Sequence, residues 1–171
     1  RYAHGREDVS QFVLYGIRRD LENPIPGRIV QLGRGAGGVR YVRSGRLHTL
    51  RYTAGIDAEW QRDQRDEFKN DGLPEGDVGQ MDDARIFDRI KYGERQLDQR
   101  ETVRNIGPFI SLDVPLNRWW TLSVSSRYDR YRLAADDRYL LDGDDSGVRS
   151  LGEFSPFIGV NFRPHSLLAL Y

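Results

Sequence analysis

The chain of 171 residues contains no cysteine. A disulfide framework, a thiolate zinc site and a cysteine nucleophile are therefore excluded, while the compartment stays open, because an oxidising space permits disulfides without requiring them. No stretch approaches the ~18 consecutive apolar residues of a membrane-spanning helix, which excludes a helical membrane protein. Net charge is absent too: 26 Lys and Arg balance 26 Asp and Glu, so no nucleic-acid partner is expected. Histidine is scarce, and His4, His48 and His165 each lack a second ligand at metal spacing. No serine sits on a nucleophile elbow, and Asp57 and Glu59 are same-face neighbours rather than carboxylates across a cleft. The chain is not expected to be an enzyme.

With 30% charged residues and a mean hydropathy of -0.67, averages describe a soluble or partly disordered chain. The order of the residues argues otherwise. Between Leu50 and Asp63 one set is apolar (Leu50, Tyr52, Ala54, Ile56, Ala58, Trp60) and the interleaved set polar (Arg51, Thr53, Gly55, Asp57, Glu59, Gln61). A half-buried strand in a soluble sheet has the same period of two, but usually runs about 5 to 6 residues. Here the apolar set spans eleven. A tilted strand crossing a bilayer needs about 9 to 11, with apolar side chains toward lipid and polar ones toward the lumen.

The flanking sequence predicts further strands. Val9 to Ile17 is β-rich and breaks at Arg18-Arg19-Asp20, Asn23 to Gly27 is a turn-forming loop, and a second strand runs from Ile29 to Val42. Ser44-Gly45-Arg46 is the short turn into the Leu50 strand. A long polar passage follows from Asp63 to about Arg100, with a short helix over Asp82 to Tyr92, and a second polar passage spans Ala134 to Gly152. Strands are expected at Thr102 to Val114, with a kink or bulge at Pro108, at Trp120 to Asp129 and at Phe154 to Arg163. Pro115 to Arg118 and Pro164 to Ser166 are short turns, the latter leading to a last strand ending at Tyr171. Long and short connections thus alternate, as when every second one lies on the same side of a membrane. Trp60, Trp119, Trp120 and Tyr128 fall at strand ends, where amphipathic rings suit a membrane interface.

Two local motifs carry sharper chemistry. Asp142, Asp144, Ser146, Gly147 and Glu153 have calcium-loop spacing, with Asp142, Asp144, Ser146 and Glu153 as the metal ligands; beyond calcium there, no cofactor is expected. The loop lies between strands, however, and Pro156 opposes the helix that should carry Glu153. Gly33-Arg34-Gly35-Ala36-Gly37-Gly38 has dinucleotide-loop spacing but runs into a strand rather than a helix, so a bulge or close strand approach is the better account.

Ala54-Gly55-Ile56-Asp57 with Gln61-Arg62-Asp63, Asn105-Ile106-Gly107-Pro108-Phe109, Arg127-Tyr128-Asp129, Asp136 to Leu140, Ser146-Gly147 and Ser155-Pro156-Phe157-Ile158-Gly159 give the chain a family likeness. In their order and spacing it resembles the barrel domain of TonB-dependent outer-membrane receptors. The resemblance implies an all-β, antiparallel segment of about six to seven strands over residues 1–171, an open part of a barrel of about 22 strands with long external loops and short periplasmic turns. It also implies an importer of ferric siderophores or similar iron complexes in the outer membrane of a Gram-negative bacterium. Partners would be that ligand, outer-membrane lipid and the TonB energy-coupling protein, the last through a plug. No plug precedes Arg1 and no closing strands follow Tyr171, so an internal piece of a receptor is expected. Arg51, Asp57, Glu59, Arg127 and Asp129 would face the lumen. Arg89, Lys91, Tyr92 and Arg95 would be candidates to meet an anionic ligand in the loops. Two other architectures share the pattern: a soluble β-sandwich binding module with the calcium loop, and a complete eight-stranded outer-membrane barrel.

Overall fold

A computed structural model of the chain describes residues 8–76, 88–165 and 168–170. The strands are β1 (Val9–Ile25), β2 (Gly27–Leu47), β3 (Leu50–Asn70), β4 (Tyr92–Pro115), β5 (Trp120–Asp137), β6 (Gly147–His165) and the three-residue β7 (Leu168–Leu170). They form one antiparallel sheet in chain order, with β1 and β7 at its open edges. A sandwich needs two sheets packed face to face, so the β-sandwich reading is overturned. A complete eight-stranded barrel has no free edges, so that reading falls as well. The all-β, antiparallel partial barrel stands.

Register shows how the two faces divide, because directly opposed residues share a face. Tyr41 opposes Ile56, Ala54 opposes Ile110, Leu112 opposes Val124, and Val124 opposes Ile158. On this face the apolar residues run from Leu50 to Trp60 on β3, Ile106 to Val114 on β4, Trp120 to Tyr128 on β5 and Phe154 to Phe162 on β6. Each run has the ~9 to 11 residues of a membrane crossing. Both edges of the band step the same way: Trp60 opposes Arg104 rather than Ile106, and Val114 opposes Leu122 rather than Trp120. The band therefore slants across the strands, the slant that strand tilt in a barrel produces.

The strands overrun the band. β3 has 21 residues, about 70 Å of extended chain at ~3.3 Å per residue, against a hydrocarbon layer of ~30 Å. The polar passages expected as loops are consequently strand for about half their length, leaving residues 71–91 and 138–146 as the connections. β1 does not break at Arg18-Arg19-Asp20 and continues through Asn23 and Pro24 to Ile25. Its turn is Pro26-Gly27, with Gly27 at φ +85°, the pattern of a type II turn. Ser44-Gly45-Arg46 lies inside β2, and the turn is His48-Thr49, with His48 at φ 57°. Gly33 to Gly38 holds an unbroken register with both neighbours, so there is a close approach, of Tyr15 over Gly38, and no bulge. At Pro108 the β4–β5 ladder skips two residues and resumes in register; the shifts between β3 and β4 lie at Glu67 to Asn70. Of the helix expected over Asp82 to Tyr92, residues 82–87 lie outside the described ones, and Tyr92 begins β4.

Full burial of hydrophobic side chains, among the described residues, is confined to the end of the sheet beyond Trp60. Ile29 and Leu73 are the buried hydrophobic residues among those described. The 71–76 segment folds back so that the Gly27 amide donates to the Leu73 carbonyl at 2.6 Å, while Asn70 reaches the Ile25 carbonyl at 3.3 Å and accepts from the Lys91 amide at 3.3 Å. At the opposite end Asn117 Oδ1 accepts from the amides of Trp119 and Trp120, and Trp120 stacks on Phe162 at 4.3 Å.

Candidate functional site

The face opposite the apolar band carries Arg51, Asp57, Glu59, Arg127 and Asp129, as alternation predicts. The structure joins three of them. Arg127 donates from Nη1 to Asp57 at 2.8 Å, and from Nε and Nη2 to the two oxygens of Asp129 at 2.6 and 2.8 Å. Arg40 on β2 stands 3.5 Å from the other Asp57 oxygen. Glu59 accepts from the Tyr15 hydroxyl at 2.9 Å. Arg51, opposite Asp113 near the His48-Thr49 turn, stands apart from this cluster.

Arg127 reaches from β5 to Asp57 on β3 across the whole width of β4. Gly107, opposite Asp57, makes the crossing possible, because a Cβ there would collide with the Arg127 guanidinium and the Asp129 carboxylate. Phe109, an aromatic on the polar side of the alternation, lies over Gly55 with the Arg40 and Arg127 guanidinium carbons 5.7 and 5.8 Å from its ring centre. Such placement holds a cation by its attraction to the ring face. Farther along the same face, Arg34 grips Asp63 in a two-pronged pair at 2.9 and 2.6 Å, and Glu67 accepts from Arg65 at 2.6 Å and Arg28 at 3.5 Å. The Asp63 residue is only 2% exposed, so its two-pronged partner offsets a real desolvation cost. Where these pairs stand, the face is a wall of fixed, mutually neutralised charges, suited to lining a wet interior.

The loop candidates lie elsewhere. Arg95 is neutralised by Asp98 at 2.7 Å and Asp66 at 3.3 Å, and its guanidinium sits 5.3 Å from the Phe68 ring. Tyr92 accepts from Gln31 at 2.7 Å and packs edge-on against Phe68; burial first, then Glu22, raises its hydroxyl pKa. Phe68 and Gln31 continue the face of the apolar band, so Tyr92 and Arg95 stand on the outer side of the wall. Lys91 is held through its backbone to Asn70 and Asp71, and the Arg89 carbonyl presses against Gly72. A cleft of about 540 Å3 opens near these residues, between Arg28 and Pro26 on one side and Lys69, Asp71 and Gln96 on the other.

The calcium-spaced residues are not gathered. Glu153 opposes Asp129 on β6, six residues or about 20 Å of strand from the loop end at Gly147. In the loop, Asp144 accepts from the Ser146 amide at 2.9 Å, and Asp137 accepts from the amides of Tyr139 and Asp145 at 3.0 and 3.1 Å. These carboxylates close a turn, and no group of three or more metal-ligating His or carboxylate side chains occurs among the described residues. Sequence reasoning missed Arg34, Arg40, Asp63, Gly107 and the role of Phe109. The available signal was the pair of exceptions, a glycine and an aromatic within one charged alternation.

The fold is similar to that of the ferric citrate transporter FecA in its unliganded form, at 13% identity and TM-score 0.57 over 93% of this chain and 23% of that chain. It is also similar to the copper transporter OprC, at 16% identity and TM-score 0.58 over 93% of this chain and 25% of that chain. The siderophore receptor PiuA from Acinetobacter baumannii matches at 11% identity and TM-score 0.50 over 92% of this chain and 28% of that one. The chain thus spans about a quarter of the length of these structures. No curated protein matches it. Residues 2–171 match the family described as TonB dependent receptor-like, beta-barrel, and the chain belongs to that family.

Proposed function

We propose that this chain is a stretch of barrel wall in an outer-membrane receptor that imports a metal complex, with ferric siderophores as the ligand class. Members of the family are transporters of the Gram-negative outer membrane, not enzymes. The observation that carries the reading is the division of one sheet into a slanting apolar band and an ion-paired opposite face, the two environments a membrane barrel separates. The three similar structures are named for ferric citrate, copper and a siderophore, which supports a metal complex as cargo. On this reading β3 runs outward from the periplasm, the cleft beside Lys69 helps to receive ligand, and Arg127 with its partners backs a plug that couples to the TonB protein.

This stretch contains no cysteine, so once any cysteines elsewhere in the receptor are replaced by serine, each introduced thiol is the sole one present. Single cysteines at positions 51 to 60 of the full receptor, in outer membranes, should react with a lipid-confined maleimide at even positions and with a water-soluble one at odd positions. Equal labelling throughout would defeat the membrane reading. Energy-dependent uptake of radioactive iron supplied as a ferric siderophore, lost on deleting the receptor, tests the cargo.

A further inference from the structure

Beyond the apolar band, the first two strands exchange the polarity of their faces. The outer face of β1 carries Phe12 and Leu14 in the band and then Arg18, Asp20 and Glu22 above it. The inner face of the same stretch turns apolar: Leu21 directly opposes Leu32, Val30 follows Leu32 along β2, and Ile25 borders the cleft. Leu32 opposes Arg65 and Val30 opposes Glu67, which fixes this patch on the ion-paired side of the sheet. The neighbouring strand β3 shows no such exchange, since its inner residues at this height are Asp63, Arg65, Glu67 and Lys69.

Apolar side chains on the wet side of the sheet gain nothing from lipid. Leu21 is 37% exposed, and Ile25, Val30 and Leu32 are half-buried. From the Leu21–Leu32 pair to the Ile25–Arg28 pair is about 13 Å of strand, and the patch is only two strands, or about 5 Å between chains, across. A stable protein contact buries about 800 Å² on each partner, more than four partly covered side chains supply. The narrow shape suits an alkyl chain. Free cations stand at both ends. Arg19, next to Leu21 on the same face, is exposed and without an ion pair among the described residues, whereas Arg34 opposite it is held by Asp63. At the outer end Lys69, exposed and likewise unpaired among the described residues, lines the cleft with Ile25 and Arg28.

We propose that Leu21, Leu32, Val30 and Ile25 receive the alkyl arm of an acylated, anionic ferric complex, while Arg19 meets a carboxylate of its head. This rests on the transport reading above and narrows the cargo to amphiphilic ligands. An alkyl arm removed from water by the patch strengthens binding by up to about fourfold per methylene. The guanidinium of Arg19 matches a carboxylate in charge and in fork geometry. A purely polar anion would use the arginine alone and leave the leucine pair wet.

The full receptor in lipid nanodiscs is equilibrated with radioactive iron held by a citrate–dihydroxamate siderophore that carries either acetyl or octanoyl groups on the same head. Iron retained beyond that of empty discs, which subtracts partition of the chain into lipid, is counted. The octanoyl complex should bind roughly tenfold or more tightly than the acetyl complex. Leu21→Gln with Leu32→Gln should reduce that ratio to under about threefold and leave the acetyl complex unchanged. Arg19→Gln should weaken both complexes alike and keep the ratio. Equal binding of the two complexes, or an unchanged ratio in the double variant, overturns the alkyl-arm assignment and leaves the transport reading standing. Retention of neither complex also overturns it, and the uptake assay above then decides whether the transport reading falls with it. Faster proteolysis of the double variant without ligand would show that the receptor's own chain covers the patch, which overturns the assignment to cargo.

Discussion

The tip around the β1–β2 turn and the apolar band are built from similar residues and bury them in opposite ways. At the tip Ile29 is 0% and Leu73 1% exposed, covered by the chain's own 71–76 segment. In the band Ile158 is 71% and Ile110 44% exposed, and no other part of the sheet covers them. Burial is worth about 25 cal/mol per Å² wherever the apolar partner comes from, so the tip is stabilised by contacts within the chain and the band by the medium around it. A self-packed tip and a barrel wall can thus use the same residue types, and only register distinguishes a self-sufficient region from one that needs lipid.

The largest effect should come from placing charge in the band. Ile110 lies midway along the β4 run, and Ile110→Arg should cost about 2 to 4 kcal/mol of stability in vesicles, measured by urea unfolding of the full receptor. Ser111→Arg on the opposite face should cost under about 1 kcal/mol, since lumen positions stay wet. Equal costs at the two positions would break the comparison.

Next comes the tip. Leu73→Ala removes a fully covered side chain from a closed site and should cost about 2 to 4 kcal/mol, felt locally. Limited proteolysis of the 71–91 connection should accelerate, to the same extent in detergent and in bilayers. A proteolysis rate that depended on the surrounding lipid would place the tip with the band.

This contrast also explains what could be read beforehand. Alternation of apolar and polar residues made the Leu50 to Trp60 strand and its lumen set visible, because there each face meets a different medium. Beyond Trp60 both faces meet water, so Arg62 to Asn70 and Tyr92 to Arg100 lose the apolar signal and read as loop, although Arg34–Asp63 and Arg65–Glu67 pairs hold them in the sheet. A cross-strand ion pair is invisible until the register is known. Likewise Ser44-Gly45-Arg46 has turn composition, yet the turn falls at His48-Thr49, where a left-handed histidine replaces the expected glycine or asparagine. The Asp57, Arg127 and Asp129 set was legible residue by residue, but not as a cluster, since Asp57 and Arg127 are 70 positions apart.

A middle case is Gly107, under the crossing Arg127 side chain. Gly107→Ala should cost about 1 to 3 kcal/mol, because an inserted methyl displaces a guanidinium that must keep two carboxylates satisfied. If the cost arises from the crossing, combining Gly107→Ala with Asp57→Asn should give less than the sum of the single effects by urea unfolding. Full additivity would show that Arg127 reaches Asp57 without needing the glycine.

The smallest effect belongs to a third environment, the 138–146 loop, which neither packing nor lipid supports. Asp144 accepts from the Ser146 amide, and the Ser146 hydroxyl and amide hold its carboxyl below the usual carboxylate pKa. A depressed folded pKa contributes stability that is present above the unfolded value, about 3.9, and is lost as pH falls through the lower folded value. The turn should therefore stay closed at neutral pH and loosen as pH falls through that lowered folded value. Exchange of the Ser146 amide, corrected for its intrinsic rate, should lose protection at the acid end. Asp144→Asn keeps an acceptor oxygen but cannot titrate there, so it should flatten that pH dependence while leaving the tip and band unchanged. An acid-insensitive Ser146 amide in the wild type would mean that Asp137, which accepts from the amides of Tyr139 and Asp145, closes the loop without help from Asp144.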